Sequence, residues 1–485
     1  MKVKEKVNQY IINLTLLLLT WGGLYRGGFN SDTVLHMVSQ KADITVRLEC
    51  GRFLDAFFDW ILYRMGLSTT TNTGLSVIAG LLFLAASLCI VQQIFSSFVK
   101  TDTVMEKLCY YSVTALLFIN GLFSEYLMFS ELAVWFGVSF FVATLGIYLF
   151  TKKKYILAFL LFFLSTGFYQ VAVVYAAILL SAWIFLSNEG HITWKTVKEE
   201  LLCGIFTFGS GVLNIVSVGI AVRLSVIQGL TKGVSFGITM DKIKNCVDNL
   251  VMLLKNGKGL LPSVWLPLFV LLFACGVVLY YLIKRKDKGA VLYFILFVPA
   301  VICMLYIIPM AQSFVYLPPR IIAPFYAVQS MLLLLAFTCA SGRIKEIVCY
   351  VGCGYLVIQM IFGNVIVANR FVSNTLDKVY INMVYEKIVA YEEETGTEVK
   401  KFAVVPDAYC PPDYDEVYYK EDQINEKVMG TATNCLMEVV TGRAFEKAPM
   451  DEKVYEQYFE GKDWKYFDAE EQLVIIGDTA YLAVF

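Results

Sequence analysis

The side chains that could do chemistry sit in a few short stretches. Asp32 lies in "FNSDTVLH" (Phe29–His36), a few residues beyond an apolar run. A carboxylate at a water–lipid boundary is partly desolvated, its pKa rises, and it can take a proton from an attacking hydroxyl. His36 follows at i+4 and reads as a loop histidine rather than a partner. Arg52, Asp55 and Asp59 stand in "GRFLDAFFDWIL" (Gly51–Leu62), and Glu125 and Glu131 flank the turn "SEYLMFSE". Tyr169 and Gln170 end "FLSTGFYQ". Arg320 follows Pro318-Pro319, whose rings restrict the backbone. Its guanidinium fork suits two oxygens of one anion.

These residues need elements to position them. At 100° per residue, Phe53, Leu54, Phe57, Phe58, Ile61, Leu62 and Met65 fall on one side of a helix over 52–65. Arg52, Asp55, Asp59 and Tyr63 fall on the other. The pattern predicts an interfacial amphipathic helix, apolar face toward lipid. It is too charged to span, since a central Asp or Arg costs about 2.5–3.5 kcal/mol. Its polar face is either solvated or walls an outer cavity.

The surrounding chain is of 485 residues, 58% hydrophobic and 17% charged, whereas soluble domains are about a quarter charged. The apolar residues form runs near the ~20 that a membrane helix needs. The class is therefore an α-helical polytopic membrane protein. Crossings are expected at 10–26, 73–97, 107–123, 131–150, 201–222, 264–283, 290–308, 321–340 and 347–367. As one helix, the stretch 155–187 would be about 50 Å long at 1.5 Å per residue, too long for a ~30 Å core.

Positive charge decides how it is divided. Lys152–Lys154 and the cluster Lys284, Arg285, Lys286 and Lys288 both belong inside by the positive-inside rule. Two helices separate the second cluster from the loop 188–200, so that loop is inside too. An even number of crossings must then lie within 155–187, and a hairpin broken near Ser165-Thr166-Gly167 is expected, its tip Gly167–Gln170 outward. The sum is about eleven helices, N-terminus inside and C-terminus outside. "WGGLYRGG" after the first run holds no small-x-small cleavage site, so that run is kept as a helix.

Two domains follow: a transmembrane domain over 1–367, with a first outer loop at 27–72, and an extracytoplasmic α/β domain over 368–485. In the latter, "KKFAVVPD" and "EQLVIIGDTAYLAVF" read as strands, the second a hairpin turning at Gly477-Asp478. "VSNTLDKVYINMVYEKIVAYEEE" reads as an amphipathic helix. Cys410 and Cys435 are close enough in sequence to be candidates for a pair, though spacing alone cannot show it. Most of the other cysteines sit in apolar runs as small hydrophobes. Two histidines, no HExxH and no CxxC indicate no metal site. No cofactor is indicated, although a divalent cation is compatible. A net charge of −1 gives no reason to expect a nucleic-acid partner.

Four stretches together resemble the Gtr-type (glucosyltransferase II) family, multi-pass glycosyltransferases with a GT-C-like plan. "NSD" (Asn30–Asp32) is similar to the family's acidic motif in the first outer loop, commonly Asn-Asp-Asp. Here Ser31 replaces the first acid. "GRFLDAFFDWIL" matches a Gly-Arg-aromatic opening of an amphipathic helix, "GFYQ" a Tyr-Gln hairpin tip, and "LPPRIIAPF" (Leu317–Phe325) a Pro-Arg element. The resemblance covers about the first 340 residues and, more loosely, the tail. It implies a sugar donor on a polyprenyl phosphate and an acceptor hydroxyl on a cell-surface glycan, with the lipid bilayer as a further partner. Asp32 is then the base, and Arg320 and Arg52 hold the donor phosphate. Tyr169 and Gln170 touch sugar or acceptor, with Asp55, Glu125 and Glu131 as further candidates. A single carboxylate and a phosphate that leaves without protonation make single displacement the simpler route, by analogy with two-carboxylate enzymes.

The competing readings are a lipid-linked glycan flippase or transporter and a glycan polymerase. A transporter favours ionisable residues at mid-membrane, whereas here charge collects in the outer loops. A polymerase would share the greasy scaffold and large outer loops.

Overall fold

The computed structural model describes residues 3–228, 233, 237–406, 419–462, 464 and 466–484. It is mostly helical. Among the described residues, six helices are long and apolar enough to cross a membrane: Thr73–Phe95, Ala133–Thr151, Trp194–Arg223, Leu266–Lys284, Pro319–Cys339 and Gly342–Thr395. Three shorter apolar helices, Tyr155–Phe168, Ala172–Ser187 and Lys288–Met304, lie among them.

Glycine and amide side chains set the packing. A Cβ on Gly80 would stand 2.5 Å from the Ala133 carbonyl oxygen, and one on Gly137 2.6 Å from that of Gly80. Only the missing side chains let helices Thr73–Phe95 and Ala133–Thr151 approach so closely, as in membrane helix pairs generally. Gln92 joins three helices: its oxygen accepts from Gln9 at 2.7 Å and Asn13 at 2.9 Å, and its nitrogen donates to Thr114 at 2.8 Å.

Three expectations change. The hairpin within 155–187 forms, but its break is at Tyr169–Val171, not at Ser165–Gly167. The hydroxyls of Ser165 and Thr166 are satisfied within the packed helices, by Ser139 and by the Phe163 carbonyl. Tyr169, extended at φ −159°, ends the helix. The crossing expected at 107–123 stops at Ala115. Asn120 then accepts from Phe123 N at 3.0 Å and donates to Leu116 O at 2.9 Å, so the irregular turn is supplied from within the protein, the condition for non-helical backbone in such a body. Finally, the last crossing and the tail's amphipathic helix are one 54-residue helix, Gly342–Thr395. At 1.5 Å per residue it is about 80 Å long, far beyond a ~30 Å hydrocarbon core. No Gly or Pro interrupts it between Gly363 and its end at Gly396, which adopts φ +68°. The boundary expected at 367/368 therefore falls inside a continuous helix.

The tail builds a four-stranded sheet of order β2-β1-β4-β3 from β1 (Lys401–Pro406), β2 (Glu446–Ala448), β3 (Leu473–Ile476) and β4 (Thr479–Val484). β1 runs parallel to β2 and β4, while β3 and β4 form the expected hairpin at Gly477-Asp478. Ile381, Val384 and Ile388, a helical stripe, pack with Phe402 and Leu482 of the sheet. Phe29 and Val34 of the loop 27–72 join the same core. Cys410 lies outside the described residues, and Cys435 is a free thiol.

Loops expected on one face contact one another. Arg285 pairs with Glu189 at 3.7 Å and Lys345 with Glu106 at 2.7 Å. On the other set, Gln170 bonds the Cys50 carbonyl at 2.7 Å and Ser31 bonds Glu426 at 2.7 Å.

Candidate active site

The hairpin tip meets the loop 27–72 at the turn 49–52. Helix Gln40–Glu49 ends there, and Gly51 takes φ +75°. A Cβ at Gly51 would lie 2.5 Å from the Asn214 side-chain oxygen, so this position needs glycine for both reasons. Asn214 Nδ2 donates to Gly51 O at 2.9 Å, and Gln170 Nε2 to Cys50 O at 2.7 Å. The turn so held places the Arg52 guanidinium 4.9 Å from the centre of the Tyr169 ring. Tyr169 is itself buried edge-on against Phe136 and Tyr126. Arg52 has no ion-pair partner among the described residues, and its buried Nε lacks a hydrogen bond.

Beside this turn lies a cavity of about 290 Å³. Glu49, Arg52, Tyr169, Gln170 and Arg320 line its polar end. Its other wall is apolar, from Val174 and Ala177 of one helix, Phe208 and Val212 of the next, and Met304 and Ile308 across the gap. Four residues singled out from the sequence, Arg52, Tyr169, Gln170 and Arg320, thus converge although 268 positions separate the first from the last (320 minus 52). Glu49 is the one acidic side chain lining the cavity among the described residues.

Arg320 is already occupied. Its backbone N–H donates to Glu125 Oε2 at 2.6 Å and its Nη1 to the other Glu125 oxygen. Nη1 also reaches Asp422 at 2.8 Å, and Nη2 donates to the Tyr316 hydroxyl at 2.8 Å. Two carboxyls thus share one guanidinium. Burial pushes the Glu125 carboxyl up to about 8, against the pull of Arg320, while Asp422 is held below the usual aspartate range. Burial works against that lowering too, and hydrogen bonding to Glu125 and the charge of Arg320 outweigh it. One shared proton on the more buried acid is the expected compromise for such a pair.

The amphipathic helix is observed as Phe53–Arg64, but its acids are not solvated. Asp55 and Asp59 are 1% and 0% exposed, while Phe57, Trp60 and Tyr63 are about half exposed. Arg47, also buried, lies 2.5 Å from Asp55 and 3.5 Å from Asp59, and Thr69 donates to Asp59 at 2.6 Å. The polar face is turned into the protein and the aromatic face outward. Asp55 is thereby an ion-pair partner that lies away from the cavity lining. Removing Arg47 would take one shared guanidinium from two buried carboxylates, and breaking a buried pair costs about 3–5 kcal/mol. Arg47→Ala is expected to lower the thermal midpoint of the purified protein sharply. An unchanged midpoint would mean that the pair contributes nothing.

Glu131 is also spent on structure. It is fully buried, contacts His36 Nδ1 at 3.0 Å and accepts from Thr33 at 2.8 Å. Burial raises its pKa, but the bond to His36 outweighs that and holds it below the usual range. Asn30 caps helix Ser31–Val38 by accepting from Thr33 N at 2.8 Å, and Ser31 is bound to Glu426. Asp32 lies between these pinned residues, half-buried, with no side-chain partner among the described residues. It is not part of the cavity lining.

Sequence reasoning missed Arg47, Glu49, Asp422 and Arg370. Glu49 stands two residues before the glycine of the Gly-Arg motif, a signal within reach. Asp422 sits in a tail loop with no pattern to mark it. Arg370 is fully buried in the long helix, with Nη2 on the Met128 carbonyl at 3.2 Å.

Neither a curated protein nor a solved structure matches the chain. The sequence profile described as Glucosyl transferase GtrII matches residues 29–338, well over half of the 485. That range holds every polar residue at the cavity mouth and leaves the tail, with Asp422, outside it. The chain belongs to the GtrII glucosyl transferase family.

Proposed function

We propose that this glucosyl transferase takes glucose from a polyprenyl phosphate and attaches it to a hydroxyl of a cell-surface glycan on the outer side of a membrane. In this reading the chain crosses about eleven times in a GT-C-like plan, N-terminus inside, and its C-terminal α/β domain is extracytoplasmic. The observation that carries it is the cavity: an apolar slot between helices that ends at a guanidinium with no ion-pair partner among the described residues. That shape suits an alkyl chain with one anionic headgroup, and suits a free nucleotide-sugar poorly.

The step balances simply. The acceptor oxygen bonds to the sugar's anomeric carbon while its proton passes to a carboxylate, for which Asp32 is proposed. The bond from that carbon to the phosphate oxygen breaks, and its electron pair leaves with the lipid phosphate. Arg52 stabilises the charge that develops there. Tyr169 and Gln170 serve this by positioning Arg52, one through its ring and one through the Cys50 carbonyl. The test is to incubate the purified full chain with polyprenyl-phosphate glucose and candidate surface glycans. Released polyprenyl phosphate matched by glucose on the glycan is expected. Movement of intact donor across vesicles without release would show a flippase, and products lengthening by many sugars a polymerase.

A further inference from the structure

One short piece of the tail, residues 419–426, reaches back and binds three separate outer loops. Glu421 pairs with Lys258 at 2.8 Å, Asp422 with Arg320 at 2.8 Å and Glu426 with the Ser31 hydroxyl at 2.7 Å. The Tyr316 hydroxyl donates to Asp422 at 3.0 Å. Each of the three acids of this segment lands on a donor of the helical part. The backbone of the segment is irregular. Tyr419, Asp422 and Asn425 all lie in the left-handed region, at φ +56°, +50° and +56°. Asp and Asn tolerate that region as single residues but a tyrosine avoids it, and three such positions within seven residues persist where the surroundings hold them, commonly at switches.

Arg320 lines the cavity, yet its fork is filled. A further anion can reach it only if one carboxylate leaves. Glu125 is fully buried and also accepts the Arg320 backbone N–H. The Asp422 side chain is 27% exposed and rides on the irregular segment. A carboxylate and the singly charged phosphodiester of a polyprenyl-phosphate sugar engage the same guanidinium edge.

We propose that segment 419–426 is a clasp over the donor site, in which Asp422 occupies on Arg320 the place that the phosphate of a polyprenyl-phosphate sugar takes when it displaces the segment. This rests on the polyprenyl-phosphate reading above and adds a regulatory contact to it. The clasp closes the mouth while no donor is bound, and the donor's own charge opens it. Apparent donor affinity is then reduced by the fraction of open molecules.

The test titrates the donor, polyprenyl-phosphate glucose, and separately its product, polyprenyl phosphate, into the purified full chain and into Asp422→Ala and Asp422→Asn. With an open fraction of about one in ten, both variants should bind about tenfold more tightly than wild type. Arg320→Ala should erase the difference. Hydrogen exchange of 419–426 should rise with the donor and stay unchanged with uncharged polyprenol. If wild type binds and both Asp422 variants bind equally or more weakly, the clasp is wrong and the donor reading stands. If no form binds either lipid, both fall. Wild-type binding by Asp422→Asn with transfer slowed over a hundredfold would instead make Asp422 a proton acceptor and overturn the clasp.

Discussion

Asp32→Asn is expected to slow glucose transfer by about 10²–10⁴, the usual worth of general-base catalysis. The change keeps the shape of the side chain and one of its oxygens but removes the ability to take a proton. Its neighbours make the substitution clean. Asn30 caps the helix, Ser31 is held by Glu426, and Thr33 and His36 are held by Glu131. The fold around position 32 is thus maintained by other residues, and protein yield and melting should stay near wild type. Donor binding should change little, because the phosphate is met by guanidinium. Single-turnover rates with saturating donor check this. Transfer above about a tenth of wild type would remove Asp32 from the role. The structure then points to Glu49, which lines the cavity beside Arg52, and Glu49→Gln becomes the informative variant. Asp55 and Glu125 are poorer substitutes, since each is committed to an arginine.

Arg52→Ala is expected to weaken donor binding by about ten- to a hundredfold, the worth of a hydrogen bond to a charged group. Transfer per encounter, kcat/KM, should fall by about 10²–10³, because the same contact strengthens as the phosphate leaves. Arg52→Lys should recover only part, since an ammonium offers a point charge in place of a planar fork. Tyr169 gives an internal control. Tyr169→Phe keeps the ring under the guanidinium and should remain active, whereas Tyr169→Leu loses the ring and should reproduce a share of the Arg52 defect. Donor titration by fluorescence and initial rates of lipid-phosphate release measure both effects. Unchanged donor affinity in Arg52→Ala would sink the assignment, and Arg320 alone would have to meet the phosphate.

Much was legible along the chain because lipid leaves few choices. Apolar length and lysine placement predict helices and a hairpin, and helices are observed over nearly all the expected stretches. Local chemistry was legible too. The hairpin at Gly477-Asp478 and the strand at Lys401–Pro406 follow from turn residues and β-branched runs. Gly51-Arg52, the Tyr-Gln tip and Pro-Pro-Arg were each visible as motifs, since each depends on backbone restrictions of a few adjacent residues.

Tertiary structure alone decided which charges are spent. A helical wheel separates polar from apolar faces, but it cannot say whether the polar face meets water or another side chain. Asp55 and Asp59 share a polar face on the wheel and are buried against Arg47. Arg320 reads as a phosphate-binding arginine and is engaged by Glu125 and Asp422. Its second partner lies 102 residues away, across a loop whose conformation no local pattern encodes. Whether an ionisable group is available for chemistry depends on partners brought by distant segments, because charge interactions act across a few ångströms of space regardless of sequence separation. The sequence by itself determined the apolar helices, the hairpin within 155–187 and the amphipathic helix that opens at Arg52. Packing decided that, among the described residues, Arg52 has no ion-pair partner and Asp32 no side-chain partner, while Asp55, Glu125, Glu131 and Arg320 have theirs.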